Sequence, residues 1–395
     1  MLNDDKGTLK VLHVAETIRG GIATYLNELH PYQRASYDRD NVHYIVPSDH
    51  RDDLVGFEDA EVSVFKRAGR SVSGLLRMAV VTFQQIRRIR PDVVHIHSTF
   101  AGLVIRPLLF LMRGKPQVVY CPHGWAFSRE TSRLSHRTTK LVEHLLARIT
   151  DRIICISGDE QKQAIDAGIA RERLTLAYNG ISTDRPLSPA NAVIWPSLKT
   201  RILFIGRLDR QKGYDLLVET ARRLNEAVDV RILGSSVVGK QEDLELPSNV
   251  ALLGWMNRSQ IEAHLDAADL VVIPSRWEAF GLVAIEAMRA AKPIVAFRVG
   301  ALPEIVEDGV TGILSSPVSV ESLVDGIERA VKLDMPATGR RGYDRFRRLY
   351  DVKKTHQVLN ALYCELNQSR QRVGQSKFPV PGVVTHQNRK AKGRL

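Results

Sequence analysis

The stretch 273-IPSRWEAFGLVAIEAMRAAKPIVAF-297 leaves an apolar run through Pro274-Ser275-Arg276-Trp277, enters a helical pattern, and returns to a second apolar run at 293–297. Strand, polar corner, short helix, strand is the unit of a parallel sheet, because two parallel strands need a covering crossover between them. The corner carries its own chemistry. Glu278 falls in the loop, Gly281 where the helix begins, and Glu286 eight residues after the first acid. A helix starting near Gly281 presents unpaired N–H groups and the positive end of its dipole, and a glycine there leaves room for a ligand. Glu286, one to two turns in, can accept from a pair of hydroxyls. On their own, two glutamates at this spacing fit an exposed acid and a cap equally well.

The same rhythm runs outward in both directions. Strand patterns fall at 10–15, 42–46, 61–65, 92–97, 117–121, 152–156 and 174–178, then, after the Pro-rich break 182-STDRPLSPANAVIWPSLKT-200, at 201–205, 229–233, 250–253, 269–273 and 293–297. Helical patterns lie between them at 22–30, 73–89, 132–149, 214–226, 258–267 and 281–291. This predicts an α/β protein of two Rossmann-like domains facing across a cleft, where open parallel sheets bind ligands. The expected domains are 1–185 and 200–341, joined by a linker at 186–199. A helical segment at 342–366 returns toward the first domain, and 367–395 reads as a basic disordered tail.

Composition sets outer bounds. At 395 residues, two cores are the default. Cys121, Cys155 and Cys364 have no metal-ligand or disulfide-framework spacing. The N-terminal MLNDDKGTLK lacks the apolar core of a signal peptide, and the most apolar run, 103-LVIRPLLFLMRG-114, is short and broken by Arg106 and Pro107. The expectation is a cytoplasmic protein, with peripheral contact on the cytoplasmic face of the inner membrane as an added possibility. The net charge of +12 does not indicate nucleic acid: seven of those charges sit after Leu366, where there is no Asp or Glu. Such a tail suits anionic lipid or bulk solvent.

Two further corners complete the picture. In 204-FIGRLDRQKGYDLLVET-220, Arg207 and Lys212-Gly213 follow a strand end and precede a helix, which suits a pyrophosphate or a solvated loop. In 297-FRVGALPEIVEDGVTGIL-314, Gly300 ends a strand and Pro303-Glu304 opens a helix, a feature of many β–α turns. Taken in order, Gly-Arg-Leu-x-x-x-Lys-Gly, then 250-VALLGWMNRSQIEAHLDAADLVVIPSRWEAFGLVAIEAM-288, then VGALPEIVEDGVTGIL, the chain resembles the retaining glycosyltransferases of the GT-B fold, family 4, a family with many bacterial polysaccharide and lipopolysaccharide enzymes. The resemblance covers about residues 9 to 365.

That resemblance implies roles. Arg207 and Lys212 would neutralise the donor pyrophosphate, Glu286 would take the ribose hydroxyls, and Glu278 would lie near the transferred sugar. Backbone amides of Ala279, Phe280, Gly281 and Leu282 would hold the distal phosphate and sugar. Gly20-Gly21 in HVAETIRGGIATYLNEL match a glycine-rich donor loop, though on residues alone they make only a tight turn. His123 in YCPHGWAF matches a histidine near the donor sugar, where the residues alone show a loop histidine. Neither cofactor nor metal is implied. The donor would be a nucleotide-diphosphate sugar, with uridine expected over guanosine, and the acceptor a glycan or a lipid-linked glycan. The alternatives are a nucleotide-sugar epimerase of the same architecture and a catalytically silent scaffold.

Two features remain. His95 and His97 share one strand face, half of a metal site with no third ligand legible nearby, and read as cleft-wall residues. The stretch 74-GLLRMAVVTFQQIRRIR-90 is a sheet-covering helix or a membrane-surface one.

Overall fold

Strands β1 (Val11–Ala15), β2 (Val42–Pro47), β3 (Val62–Phe65), β4 (Val93–His97), β5 (Gln117–Cys121), β6 (Arg152–Cys155) and β7 (Leu174–Leu176) form one sheet in the computed structural model. The structure describes residues 9–67, 69, 71–128, 132–183, 193–235 and 245–376. The strand order is β3-β2-β1-β4-β5-β6-β7, and all pairings are parallel. A second sheet takes β8 (Thr200–Ile205), β9 (Val228–Leu233), β10 (Val250–Gly254), β11 (Leu270–Ile273), β12 (Ile294–Phe297) and β13 (Gly312–Ser315) in the order β10-β9-β8-β11-β12-β13. Each sheet grows outward from its first strand, then jumps back to that strand's other side. The crevice of a doubly wound sheet opens at this jump, here between β1 and β4 and between β8 and β11.

The helices α1 (Gly21–Tyr37), α2 (Val72–Ile89), α3 (Thr99–Phe110), α4 (Arg133–Ala147) and α5 (Gly158–Asp166) belong to the first domain. The second has α6 (Tyr214–Leu224), α7 (Arg258–Ala267), α8 (Leu282–Arg289), α9 (Leu302–Ile305), α10 (Val320–Val331) and α11 (Met335–Leu349). Helices on both faces account for the unbroken burial of β1, β4, β11 and β12. The last helix, α12 (Val352–Ser376), lies on the first domain, where Leu359, Leu362, Tyr363 and Leu366 join a core with α1 and β5 residues. Burying each such side chain contributes roughly 1.5–3 kcal/mol, so this helix is part of the fold.

Several expectations change. Helix α12 runs to Ser376, ten residues into the stretch read as an unordered tail, and Arg370 there donates to Gly114 O at 3.0 Å. The remainder of that stretch and residues 186–192 of the linker lie outside the described residues. Helix α1 does not stop before Pro31 but continues to Tyr37, since packing against α12 outweighs one missing N–H. The run broken by Arg106 and Pro107 is helix α3. Its arginine is fully buried, bonded to Glu143 at 2.7 Å and lying over the Tyr120 ring. Strand β13 was not legible: it opens on Gly312, where a Cβ would meet Ile294 O at 2.2 Å, and glycine weakens any strand signal.

Candidate active site in the interdomain cleft

The second domain supplies a charged edge. Lys212, in the loop after β8, places Nζ 2.6 Å from Glu278 Oε2, and Ser275 Oγ donates to the same oxygen at 3.1 Å. The Glu278 loop is clamped from behind: a Cβ at Gly300, whose φ is +51°, would lie 1.8 Å from Glu278 O. Arg276 braces the other side by pairing with both oxygens of Asp215 at 2.8 and 2.7 Å. Arg207 turns to Gln211 Oε1 (2.7 Å) and Asp209 Oδ2 (3.0 Å). Both expected phosphate ligands are therefore present, but each cation is already matched by an acid, Arg207 by Asp209 of its own loop and Lys212 by Glu278 of the loop after β11. Gly281 stands before α8 at φ +100° with no side-chain cap, so the helix end is left to other acceptors.

Behind α8 lies a buried charge cluster. Arg258 Nη2 meets Glu28 Oε1 at 2.6 Å, joining α7 to α1 across the domains, and Glu262 accepts from Arg258 and Arg289 at 3.2 and 3.1 Å. Three acids, with Glu286, face two arginines. Glu286 has no hydrogen-bond or ion-pair partner among the described residues. Burial pushes its carboxyl above the ordinary range, against the pull of Arg289 and Arg258. Glu286 is half-buried, and an acceptor left without a partner there is suited to hydroxyl donors.

The first domain closes on this edge. A Cβ at Gly21 would lie 3.4 Å from Leu282 Cδ1, and one at Gly124 would lie 3.0 Å from the Cβ of Ala279. Gly20, the uncapped residue before α1, has open space around it. Ala279 O accepts from Ser157 Oγ at 3.0 Å, and the Phe280 ring is buried beside Tyr178 and Tyr350, so only its backbone is available to a ligand. Glu304 proves to be more than a turn residue. Its carboxylate accepts from Gly158 N (2.8 Å) and Asp159 N (2.6 Å), capping α5 from the other domain. Glu160 in that helix accepts from Gly124 N and Ile156 N, both at 2.7 Å, and burial pushes it up to about 7.

The first domain's own edge is made of neutral rings. His123, at φ 53°, follows β5, and its Nε2 lies 2.9 Å from His97 Nδ1. His95 and His97 do have a third imidazole beside them. It is His13 of β1, which pairs in register with His95, and one ligand nitrogen from each of the three falls within 4.8 Å of the others. Two of these nitrogens already bond each other, His13 Nδ1 and His97 Nε2 at 2.9 Å, while His95 Nδ1 bonds Tyr363 OH of α12 at 2.5 Å. Burial lowers His13 and His123 to about 3, and takes His95 and His97 well below the ordinary value. The whole group is uncharged at neutral pH.

Two doubly wound domains that meet over an open helix end and an unpartnered acid define a GT-B architecture. The model for glycosyl transferases group 1 matches residues 191–343, and that for glycosyltransferase family 4 matches residues 19–185. The chain is 34% identical over 315 residues, 78% of its length and 86% of the other's, to an uncharacterized 41.2 kDa protein in the cps region of Klebsiella pneumoniae. Sucrose-phosphate synthase from Thermosynechococcus elongatus superposes with a TM-score of 0.76 at 19% identity, over 91% of this chain and 100% of that one. Anabaena HepE in complex with UDP-glucose superposes with a TM-score of 0.72 at 23% identity, over 90% and 99%. The chain belongs to the family-4-type glycosyltransferases of the GT-B fold.

Proposed function

We propose that the protein transfers a hexose, with retention and without a metal, from a nucleotide-diphosphate sugar to a glycan or lipid-linked acceptor during surface polysaccharide or lipopolysaccharide assembly. The observation that carries this reading is the uncapped N-terminus of α8, set beside the Lys212–Glu278 pair and one to two turns from the unpartnered Glu286. A departing nucleotide diphosphate needs positive charge fixed in advance. Helix amides, Lys212 and Arg207 offer it. Glu278 is already held by Lys212 and Ser275, so it is poorly placed to serve as one of two free carboxylates flanking a glycosidic bond, as hydrolases require. Uridine is the preferred base, supported by the HepE complexes with UDP and UDP-glucose; the cps-region relative supports the polysaccharide assignment.

The deciding experiment incubates the protein with labelled nucleotide sugars, with and without acceptor glycans and EDTA. Transfer that needs acceptor, retains anomeric configuration and survives EDTA is expected. Epimerisation without acceptor would point to an epimerase, no nucleotide release to a scaffold, and loss of activity restored by manganese to a metal-dependent enzyme.

Peripheral membrane contact belongs to the same proposal. No helix among the described residues is long and apolar enough to cross a membrane. Helix α2, however, exposes Val72, Leu76 and Val80 at 74, 62 and 56%, an outward stripe at four-residue spacing beside Arg77. Sedimentation with anionic vesicles should fall on Leu76→Glu; unchanged binding would remove α2 from the contact.

A further inference from the structure

His123 ends a row of four side chains. His123 Nε2 meets His97 Nδ1 at 2.9 Å, His97 Nε2 meets His13 Nδ1 at 2.9 Å, and His13 Nε2 meets Gln33 Oε1 at 3.0 Å. A neutral imidazole carries a single N–H, so each ring donates through one nitrogen and accepts through the other. The far end sets the direction. Gln33 Oε1, which also takes the Tyr44 hydroxyl at 3.4 Å, only accepts, so His13 donates from Nε2. His13 Nδ1 is then a lone pair, filled by the N–H of His97 Nε2. His97 Nδ1 in turn accepts from His123 Nε2. One amide oxygen deep in the domain thereby selects the tautomer of three rings.

The Gln33 amide turns Oε1 to His13 and leaves its Nε2 without a partner among the described residues. His13 and His97 are 1% and 0% exposed, and the Tyr25 ring stands edge-on to His97 and His123 with its hydroxyl pKa raised by burial. His95 stands outside the row, bonded to Tyr363. His123 Nδ1 has no partner among the described residues, and its loop lies against Ala279 of the donor edge.

We propose that His97, His13 and Gln33 are positioning residues that hold His123 as a neutral Nε2–H imidazole, whose Nδ1 lone pair accepts a hydrogen bond from a hydroxyl of a sugar bound in the cleft. His123 on this account selects hydroxyl-bearing ligands and neither delivers a proton nor carries charge during turnover. The identity of that hydroxyl rests on the glycosyl-transfer reading; the tautomer does not.

The first test is spectroscopic and needs no substrate. In the full-length protein labelled with ¹⁵N-histidine, with His123 assigned by its loss in His123→Gln, long-range ¹H–¹⁵N spectra at neutral pH should show Nε2 protonated and Nδ1 bare. A proton on Nδ1, or a charged ring, overturns the proposal. The second test uses His97. Asn carries its amide near the place of imidazole Nδ1, whereas Gln carries it near Nε2. His97→Asn keeps an acceptor for His123 and should hold kcat/KM within about threefold of wild type, whereas His97→Gln and His97→Ala should lose about ten- to hundredfold. Equal activity of the Asn and Gln variants, with matched melting temperatures, also overturns it. Should the variants fail to fold, the wild-type spectrum decides alone. If no transfer activity is found while the spectrum is as expected, the functional reading fails and the tautomer relay stands.

Discussion

The two domains are wound alike but present opposite chemistry at the same crevice. The second domain's edge is ionic: Lys212 against Glu278, Arg207 against Asp209, and an open helix end at Gly281. The first domain's edge is a row of imidazoles, buried at His13 and His97 and half-buried at His123, that are neutral at pH 7. The difference follows from where the groups sit. The charged residues stand on loops beyond strand ends, where water and partners lower the cost of a charge, while His13, His95 and His97 lie within strands covered on both faces, where an isolated charge is too costly to hold. A cleft with one ionic and one neutral wall can grip a charged leaving group on one side and sort neutral hydroxyls on the other.

The largest expected effect would break the ionic wall. Lys212→Ala should lower kcat/KM on the nucleotide sugar by about 10²- to 10³-fold, the order seen when a charge-stabilising donor is removed. Near-full activity at limiting donor would place the diphosphate elsewhere. Because the lysine is a cleft-edge residue, the melting temperature should change little, which separates this loss from unfolding.

Acid should strike the neutral wall. A histidine held neutral when folded and free to take a proton near pH 6.5 when unfolded has its full stability above that pH and loses it as pH falls toward the folded value. His13, lowered to about 3, should alone cost about 1.4 kcal/mol at about pH 5.5, and His95, His97 and His123, lowered in the same direction, add to that loss. Glu160 acts in the opposite sense: its carboxyl, raised to about 7, binds its proton first in the folded state and restores about 1.5 kcal/mol over the same range. The histidines outnumber that opposing acid, so a net loss of stability should appear in denaturant titrations between pH 7 and 5.5. A flat profile would mean that the imidazoles titrate normally in the fold.

The tie between the walls should matter less. Glu304→Ala removes the carboxylate that caps α5 from across the cleft, an effect of about 1–2 kcal/mol on the closed arrangement. Small-angle scattering should register a larger radius of gyration; an unchanged radius would show that Glu28–Arg258 and the α12 packing hold the domains without it. The smallest effect belongs to the C-terminus. Deleting residues 377–395 should leave the melting temperature and turnover on a soluble acceptor unchanged, whereas ending the chain at Leu366 also removes the last turns of α12 and should lower melting by about 1–2 °C. Equal melting of both would show that those turns contribute nothing.

Legibility in the sequence followed the range of the interaction. Lys212, Glu278, Gly281 and Glu286 stood out because each lies in a short strand–loop–helix corner. On spacing alone those corners fit a solvated loop or a cap equally well, and only the resemblance of the three corners in order gave them roles. The pairing of Lys212 with Glu278, 66 residues apart, could not be read. Glu304 looked like one more helix-opening acid, since nothing local reveals that it caps a helix 146 residues earlier. The His-x-His of β4 was visible, and His13 stood within the pattern read as the first strand. Joining them required the knowledge that β1 pairs with β4, with His13 opposite His95.

Local periodicity, turn chemistry and charge spacing thus determined the alternating α/β pattern, the break between the two strand series and the strand–loop–helix corners of the second domain, because those properties depend on neighbours along the chain. Tertiary structure alone decided that α1 runs through Pro31, that Arg106 is a core residue, and that α12 seals the first domain through Tyr363. It also decided the tautomer row from Gln33 to His123. The physical reason is the same in each case: burial and partner geometry, set by segments tens to hundreds of residues apart, determine the cost of a proline, a charge or a proton at a given place.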